Sequence, residues 1–334
     1  MIAPNGKNAG NLNRGQAMKH LVKAGAALAL TLWAGATLAQ EAKLRVAMFV
    51  PPATAFGEPC KKWVDHVNEV GKGQVSVTLL DMGAVPPFEL GNAVSSGVLD
   101  VACVPPAYYK GKMVEGEATI FSNISFLAHR SNGGWAAMNK LHNDKMNAQY
   151  LGAYGDGIRF HLWLTKPAAA QGDLKGRKVR SSPNFQAFFA DNGMVTVTTP
   201  PGEVYTALER GTVEGYGWPY WGIHDMSWDK FTKYRVDPGF YNVAVNVLIN
   251  LPKYRSLTPA QKKIMDDSGV WLETEFPKWR DGRTAEDAKK QAASGIQVIN
   301  FGPAWEKQAN DSYFSELEKA SPENMRMLRT LMIK

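Results

Sequence analysis

Cysteine is scarce in this chain, with Cys60 and Cys103 the only two among 334 residues. Two thiols build neither a disulfide framework nor a four-ligand zinc site. Catalytic signatures are absent as well: the sequence holds no G-x-S-x-G, no G-x-x-x-x-G-K-S/T and no H-E-x-x-H. His66, His129, His142, His161 and His224 never fall at ligand spacing on one predicted element. The half-motif Gly155-Asp156-Gly157 precedes a strand, where a dinucleotide loop would follow one, and its third glycine is missing. No nucleotide site, resident metal or cofactor is expected.

Long apolar runs are also lacking; nowhere do eighteen apolar residues follow one another. Acidic residues are missing before position 40, while Lys7, Arg14, Lys19 and Lys23 lie there. Lys19, His20 and Lys23 precede an apolar stretch from Ala24 to about Leu38, and small residues fill Ala34 to Ala39. That pattern predicts a secretory signal cut after Ala39, with an uncleaved anchor as the alternative. Gln40 is not cysteine, so no lipid attachment follows at that cut. The net charge of +7 shrinks to 34 basic against 31 acidic residues once the segment is removed, too weak and scattered for a nucleic-acid surface. An exported, soluble protein is expected. In an oxidising compartment the two cysteines could pair. Cys60, however, falls on the apolar face of a helix pattern and Cys103 in a strand, which favours two packed thiols over a bridge.

At this length two lobes are expected. Leu44–Val50, Val75–Leu80 and Leu99–Val104 read as strands alternating with helical patterns, which argues a parallel sheet with crossover helices. Arg159–Leu164, Lys178–Arg180, Val195–Thr198 and Val213–Gly217 repeat the alternation, and Asn242–Ile249 is a strand able to cross between lobes. Thr258-Pro259-Ala260-Gln261 is a helix start with cap, first-turn proline and a glutamine reaching back. Helical composition then continues to about Ala293, interrupted by Pro277.

The most informative stretch runs from Asp173 to Pro219. It holds Asp173-Leu-Lys-Gly-Arg-Lys-Val-Arg180, then Gly202-Glu-Val-Tyr-Thr-Ala-Leu208, then Gly211-Thr-Val-Glu-Gly215. These three ordered motifs resemble the substrate-selecting core of the DctP-like solute-binding proteins that serve TRAP-type (tripartite, ATP-independent) periplasmic transporters. The resemblance extends from about Lys43 to the C-terminus. It implies an α/β, two-lobe periplasmic binding protein fold (type II-like) with crossing strands and a long lobe-spanning helix. The expected division is a signal over residues 1–39, a first lobe over 40–162 with about 250–291, and a second over 163–249 with about 292–334.

Arg180 closes the first motif. A guanidinium is a planar fork matching a carboxylate in two charge-assisted hydrogen bonds, and a strand end holds it rigid. The resemblance implies that Arg180 clamps the ligand carboxylate and that Arg159 assists. An arginine paired with a local acid is the plain alternative. Glu203 stands in a helix first turn, where an acid suits the helix dipole; it reads as a cap, a partner of Arg180 or a lesser ligand contact. Trp218, Tyr220 and Trp221 follow a strand, at the end where α/β proteins place ligands. In some relatives an acid beside this tryptophan helps hold a metal; here Gly217 and Pro219 flank it. Phe49 and Tyr108 follow strands of the first lobe. His161, two residues after Arg159, shares its strand face.

The expectation is a periplasmic, monomeric receptor for a small organic acid that delivers its ligand to TRAP-type permease subunits and binds no nucleic acid. The aromatic wall favours an aromatic or branched/keto monocarboxylate. An exported enzyme acting on organic acids and a ligand-presenting sensory module are the alternatives; the first would have only Glu203 or His161 as a base.

Overall fold

The computed structural model describes residues 40–333, so the expected export signal lies outside the described residues. Eleven strands follow in order among them: β1 (Ala42–Met48), β2 (Val75–Leu79), β3 (Val101–Val104), β4 (Ala148–Tyr154), β5 (Arg159–Leu164), β6 (Lys178–Ser181), β7 (Val195–Thr198), β8 (Gly215–Pro219), β9 (Tyr234–Asn242), β10 (Val245–Asn250) and β11 (Gln297–Asn300). They form two sheets, one in the order β2-β1-β3-β10-β4 and one in the order β11-β9-β5-β8-β6-β7.

In the first sheet β1 lies parallel to β2 and β3, because helices Glu58–Val70 and Leu90–Ser96 carry the chain back between the strands. β10 enters antiparallel between β3 and β4. Side chains of β3, β4 and β10 are buried throughout, as expected of strands covered on both faces. In the second sheet β6 lies parallel to β7 and β8 through helices Gln186–Asp191 and Val204–Glu209, while β5 runs antiparallel to β8 and β9.

The chain passes between the sheets at residues 155–158 and again at Val243-Ala244. The lobe limits expected from sequence therefore shift. β5 belongs wholly to the second sheet, not to the first lobe through residue 162, and β10 belongs to the first sheet, not the second lobe. The closing helix Pro322–Met332 packs on helix Gly134–Met146 and the 3₁₀ segment Val114–Phe121 of the first lobe, although the second lobe was expected to hold it. An apolar run announces a strand but not the sheet that recruits it.

Helix Pro259–Ala293 runs 35 residues and continues through Pro277, the long helix that the resemblance implies, where the sequence alone reads an interruption. Its start is a capping box: the Thr258 N–H donates to Gln261 Oε1 at 2.9 Å and the Gln261 N–H to Thr258 Oγ1 at 3.3 Å. The first half packs on β4 and on helix Glu58–Val70. The second half bonds to the other lobe, where Thr284 accepts from Trp221 Nε1, Asp287 accepts from the Gly222 N–H and Gln291 donates to the Tyr220 carbonyl. One helix thus belongs to both lobes.

Cys60 and Cys103 form a disulfide, which corrects the expectation of two packed thiols. Both are fully buried. Packing helix Glu58–Val70 on β3 brings their Cα atoms to 6.3 Å, so burial and bridging coincide.

Candidate functional site

Between the sheets lies a cavity of about 40 Å³ whose walls come from both lobes. The first lobe contributes Phe49 after β1, Phe56, the Pro105-Pro106-Ala107-Tyr108 turn after β3, and Glu117 and Ile120. The second lobe contributes Phe160, Arg180, Ser182, Asn184, Phe185, Trp218 and Pro219, and the crossing Val243-Ala244-Val245 completes the wall. Arg180 and Trp218 come from the carboxyl ends of the parallel strands β6 and β8, where an α/β sheet opens to a ligand.

Arg180 dominates the electrostatics. Only 1% of it is exposed, and no carboxylate forms an ion pair with it among the described residues. Nε and Nη2 donate to the Thr199 carbonyl at 3.0 and 2.7 Å, and Nη1 to the Gly217 carbonyl at 3.2 Å. Its Cζ stands 5.7 Å from the centre of the Trp218 ring. Burial lowers the guanidinium pKa, which the Tyr108 hydroxyl beside it counters, and burial raises that of Tyr108. Arginine nonetheless stays charged. The site therefore holds a desolvated cation, fixed by backbone carbonyls and lacking a counter-ion from the chain.

Aromatic edges shape the remaining space. Tyr108 meets Phe49 edge-on at 5.8 Å and Phe88 at 4.6 Å. Phe56, carried by the first lobe, stands edge-on to Trp218 at 6.4 Å and stacks on Trp221 at 5.7 Å. Next to it the Ala55 N–H donates to Asp225 Oδ2 at 2.7 Å, and Arg283 of the long helix pairs with the same carboxylate. The two lobes are therefore in direct contact at one rim of the cavity.

Of the nine residues singled out by sequence, Phe49, Tyr108, Arg180 and Trp218 meet on the cavity, and five lie elsewhere. Arg159 pairs with Glu306 and donates to the Gly239 carbonyl, facing a separate groove beside the helix Pro303–Ala320. His161 does share the Arg159 face, but its Nδ1 rests 3.0 Å from both Asp237 Oδ1 and the Val236 carbonyl. Phe160 between them turns to the cavity, so alternation carries its two neighbours away. Tyr220 lies under Arg235 at 4.8 Å, and Trp221 is buried with its N–H on Thr284. Glu203 is exposed and makes no side-chain cap, and no ion pair links it to Arg180. Its side chain is spent on solvent.

Glu117, Ser182, Asn184, Phe160 and Phe185 were not anticipated. Ser182 donates to Asn184 Oδ1, and both sit two and four residues past Arg180 in Arg180-Ser-Ser-Pro-Asn184, so their place after the strand was the available signal. Glu117 carried none: it lies in a 3₁₀ segment without a motif.

Three kinds of likeness bear on this site. Residues 46–320 match the family described as bacterial extracellular solute-binding protein, family 7. A monocarboxylate 2-oxoacid-binding periplasmic protein of Nostoc is 24% identical over 250 residues, covering 71% of this chain and 67% of that protein. The crystal structure of DctP7, an extracytoplasmic solute receptor of Bordetella pertussis binding pyroglutamic acid, superposes with a TM-score of 0.77 at 19% identity, over 87% of this chain and 99% of that one. A marine metagenome TRAP solute-binding protein specific for aromatic acid ligands, crystallised with 3-hydroxybenzoate, superposes with a TM-score of 0.74 at 20% identity, over 88% and 97%.

Proposed function

Given that the chain belongs to family 7 of the bacterial extracellular solute-binding proteins, and is a transport receptor and not an enzyme, we propose that it captures an organic monocarboxylate between its lobes and hands it to a TRAP-type permease. In this reading residues 1–39 direct export to the periplasm and the mature receptor is a monomer.

One observation carries the proposal: a cation buried to 1% exposure on the cavity wall without an acidic partner. Isolated buried charges are costly, and proteins pair or neutralise them. A ligand carboxylate is the natural counter-ion. A guanidinium has five N–H donors; the two backbone carbonyls engage three, and a ligand carboxylate would take the others in place of the Tyr108 hydroxyl beside them. The rest of the wall is mostly aromatic and aliphatic. It suits a body that is aromatic or branched, with 2-oxo and 2-hydroxy acids included. Binding of a 2-oxoacid by the Nostoc relative and of aromatic acids by the metagenome protein points the same way.

A ligand that touches walls from both lobes binds the closed form better than the open one, and so draws the lobes together. Arg159, Tyr220, Trp221, Glu203 and His161 take no ligand contact in this reading.

Side-by-side titration of benzoates, branched 2-oxo acids, C4-dicarboxylates and sugar acids by calorimetry tests the ligand class. Tight binding confined to dicarboxylates or sugar acids would refute it. Small-angle scattering of the same samples should show a monomer that compacts at saturation.

A further inference from the structure

Glu117 is the second charged residue of the cavity wall, and the reading of Arg180 as carboxylate clamp leaves it unused. Its 3₁₀ segment, Val114–Phe121, lies in the first lobe, whereas Arg180 belongs to the second. The carboxyl group is fully buried. Tyr313, on the helix Pro303–Ala320, donates its hydroxyl to Oε2 at 2.9 Å, and Oε1 has no hydrogen-bond partner among the described residues. Buried polar atoms are seldom left so, and an orphan on a cavity wall marks a place for a ligand atom.

We infer that Glu117 is a specificity-determining residue, whose Oε1 donates a hydrogen bond to a hydroxyl or keto oxygen on the ligand. The inference rests on the proposed carboxylate reading. Arg180 would hold the carboxylate from one lobe, and Glu117 would read an oxygen substituent from the other.

The donor role follows from the surroundings. Oε2 is an acceptor already engaged by the Tyr313 hydroxyl, so a proton on this carboxyl sits on Oε1. Burial, the largest influence, pushes its pKa up to about 7, against the opposing pull of Tyr313 and Lys110 and with Glu316 reinforcing it. Lys110 is itself paired with Glu316. A hydroxyl or keto oxygen can accept from the proton on Oε1, so an acid that carries such an oxygen gains a bond its unsubstituted parent lacks. The parent meanwhile leaves Oε1 unsatisfied. A site built on a buried hydrogen bond discriminates more sharply than one built on an apolar contact.

Matched acids on the full-length mature protein test this by calorimetry. Mandelate and phenylglyoxylate place the oxygen beside the carboxylate, with phenylacetate as their parent; 3-hydroxybenzoate and 4-hydroxybenzoate place it on the far side of the ring, with benzoate as theirs. In wild-type protein at least one oxygenated acid should bind about tenfold or more tightly than its parent, and Glu117→Met should bring that ratio below about threefold while the parent's own affinity stays. Glu117→Gln should keep the preference, since its amide can offer Oε1 to Tyr313 and an N–H to the ligand; it also supplies a folded variant should methionine destabilise the wall. An unchanged ratio in Glu117→Met or a lost preference in Glu117→Gln would overturn the inference, and so would parents that bind wild-type protein as tightly as every oxygenated acid. Arg180→Ala separates the two readings: it should abolish binding of parent and substituted acids alike. Intact binding there would overturn the clamp, and with it the basis of this inference.

Discussion

Replacing Arg180 puts the carboxylate reading at greatest risk. Lysine keeps the charge, but its single nitrogen must serve both the Thr199 and the Gly217 carbonyl, which the three arginine nitrogens now share. Two of its three N–H groups are then engaged, and the planar fork is lost. Arg180→Lys should therefore bind through one hydrogen bond in place of a fork. Arg180→Ala removes cation and fork together. Truncating one partner of a desolvated charge pair costs about 2–5 kcal/mol, roughly thirtyfold to several thousandfold in Kd. We expect alanine near the upper end of that range and lysine near the lower. Titration calorimetry with the tightest acid from the screen reads both, and melting of the ligand-free proteins checks that each variant folds. An Arg180→Ala protein that binds within about threefold of wild type would refute the reasoning, because no desolvated pair loses so little.

Three further outcomes are expected. The Cys60–Cys103 bridge spans a sequence separation of 43, and the chain-entropy account assigns such a loop about 4 kcal/mol; the Cys60→Ser/Cys103→Ser protein should unfold at clearly lower urea, and coincident midpoints would count against that. Gly157 has φ +80°, and a Cβ there would stand 2.5 Å from Arg280 Nη1, so Gly157→Ala should cost about 1–3 kcal/mol by calorimetric melting. Burial raises the Glu117 carboxyl from 4.5 to about 7, so the folded state retains a proton that the unfolded chain releases, and stability falls as pH rises through that window. The loss attributable to this group is about 3 kcal/mol, and Glu117→Gln should flatten the profile there; parallel profiles for the two proteins would remove the assignment.

The second sheet was the most legible part of the fold. Its three motifs follow strand, helix and strand in an order that puts Arg180 and Trp218 at neighbouring strand ends, and that much is local pattern. Arg159 and His161 show where pattern stops. Alternation placed them on one face, but only the packing of β5 between β8 and β9 decides that Phe160, not they, looks into the crevice. The disulfide was unreadable for a similar reason. Burial of each cysteine follows from its own segment, whereas bridging needs a distance fixed by how a helix lies on a strand. Glu117 left no trace in sequence because its meaning comes from Tyr313, nearly two hundred residues away. Strand β10 lies in the first sheet, between β3 and β4, but its apolar run carries no local mark of which sheet takes it.

The places where the chain passes between the sheets are not scattered. A Cβ on Gly155 would stand 2.7 Å from Val243, and Arg280 of the long helix donates to the Asp156 carbonyl at 3.3 Å, so all three passages lie side by side. Such a waist behaves as a flexure, three leaves bound edge to edge, not as a pin joint, and bending any one strains the others. In a receptor whose lobes open and close, the stiffness of those leaves sets the fraction of time spent closed, and the apparent affinity scales with that fraction. A substitution at the waist would then multiply the affinity for every acid by one common factor, whereas a substitution on the cavity wall would change their ranking. Strength and selectivity would answer to different residues of the same chain.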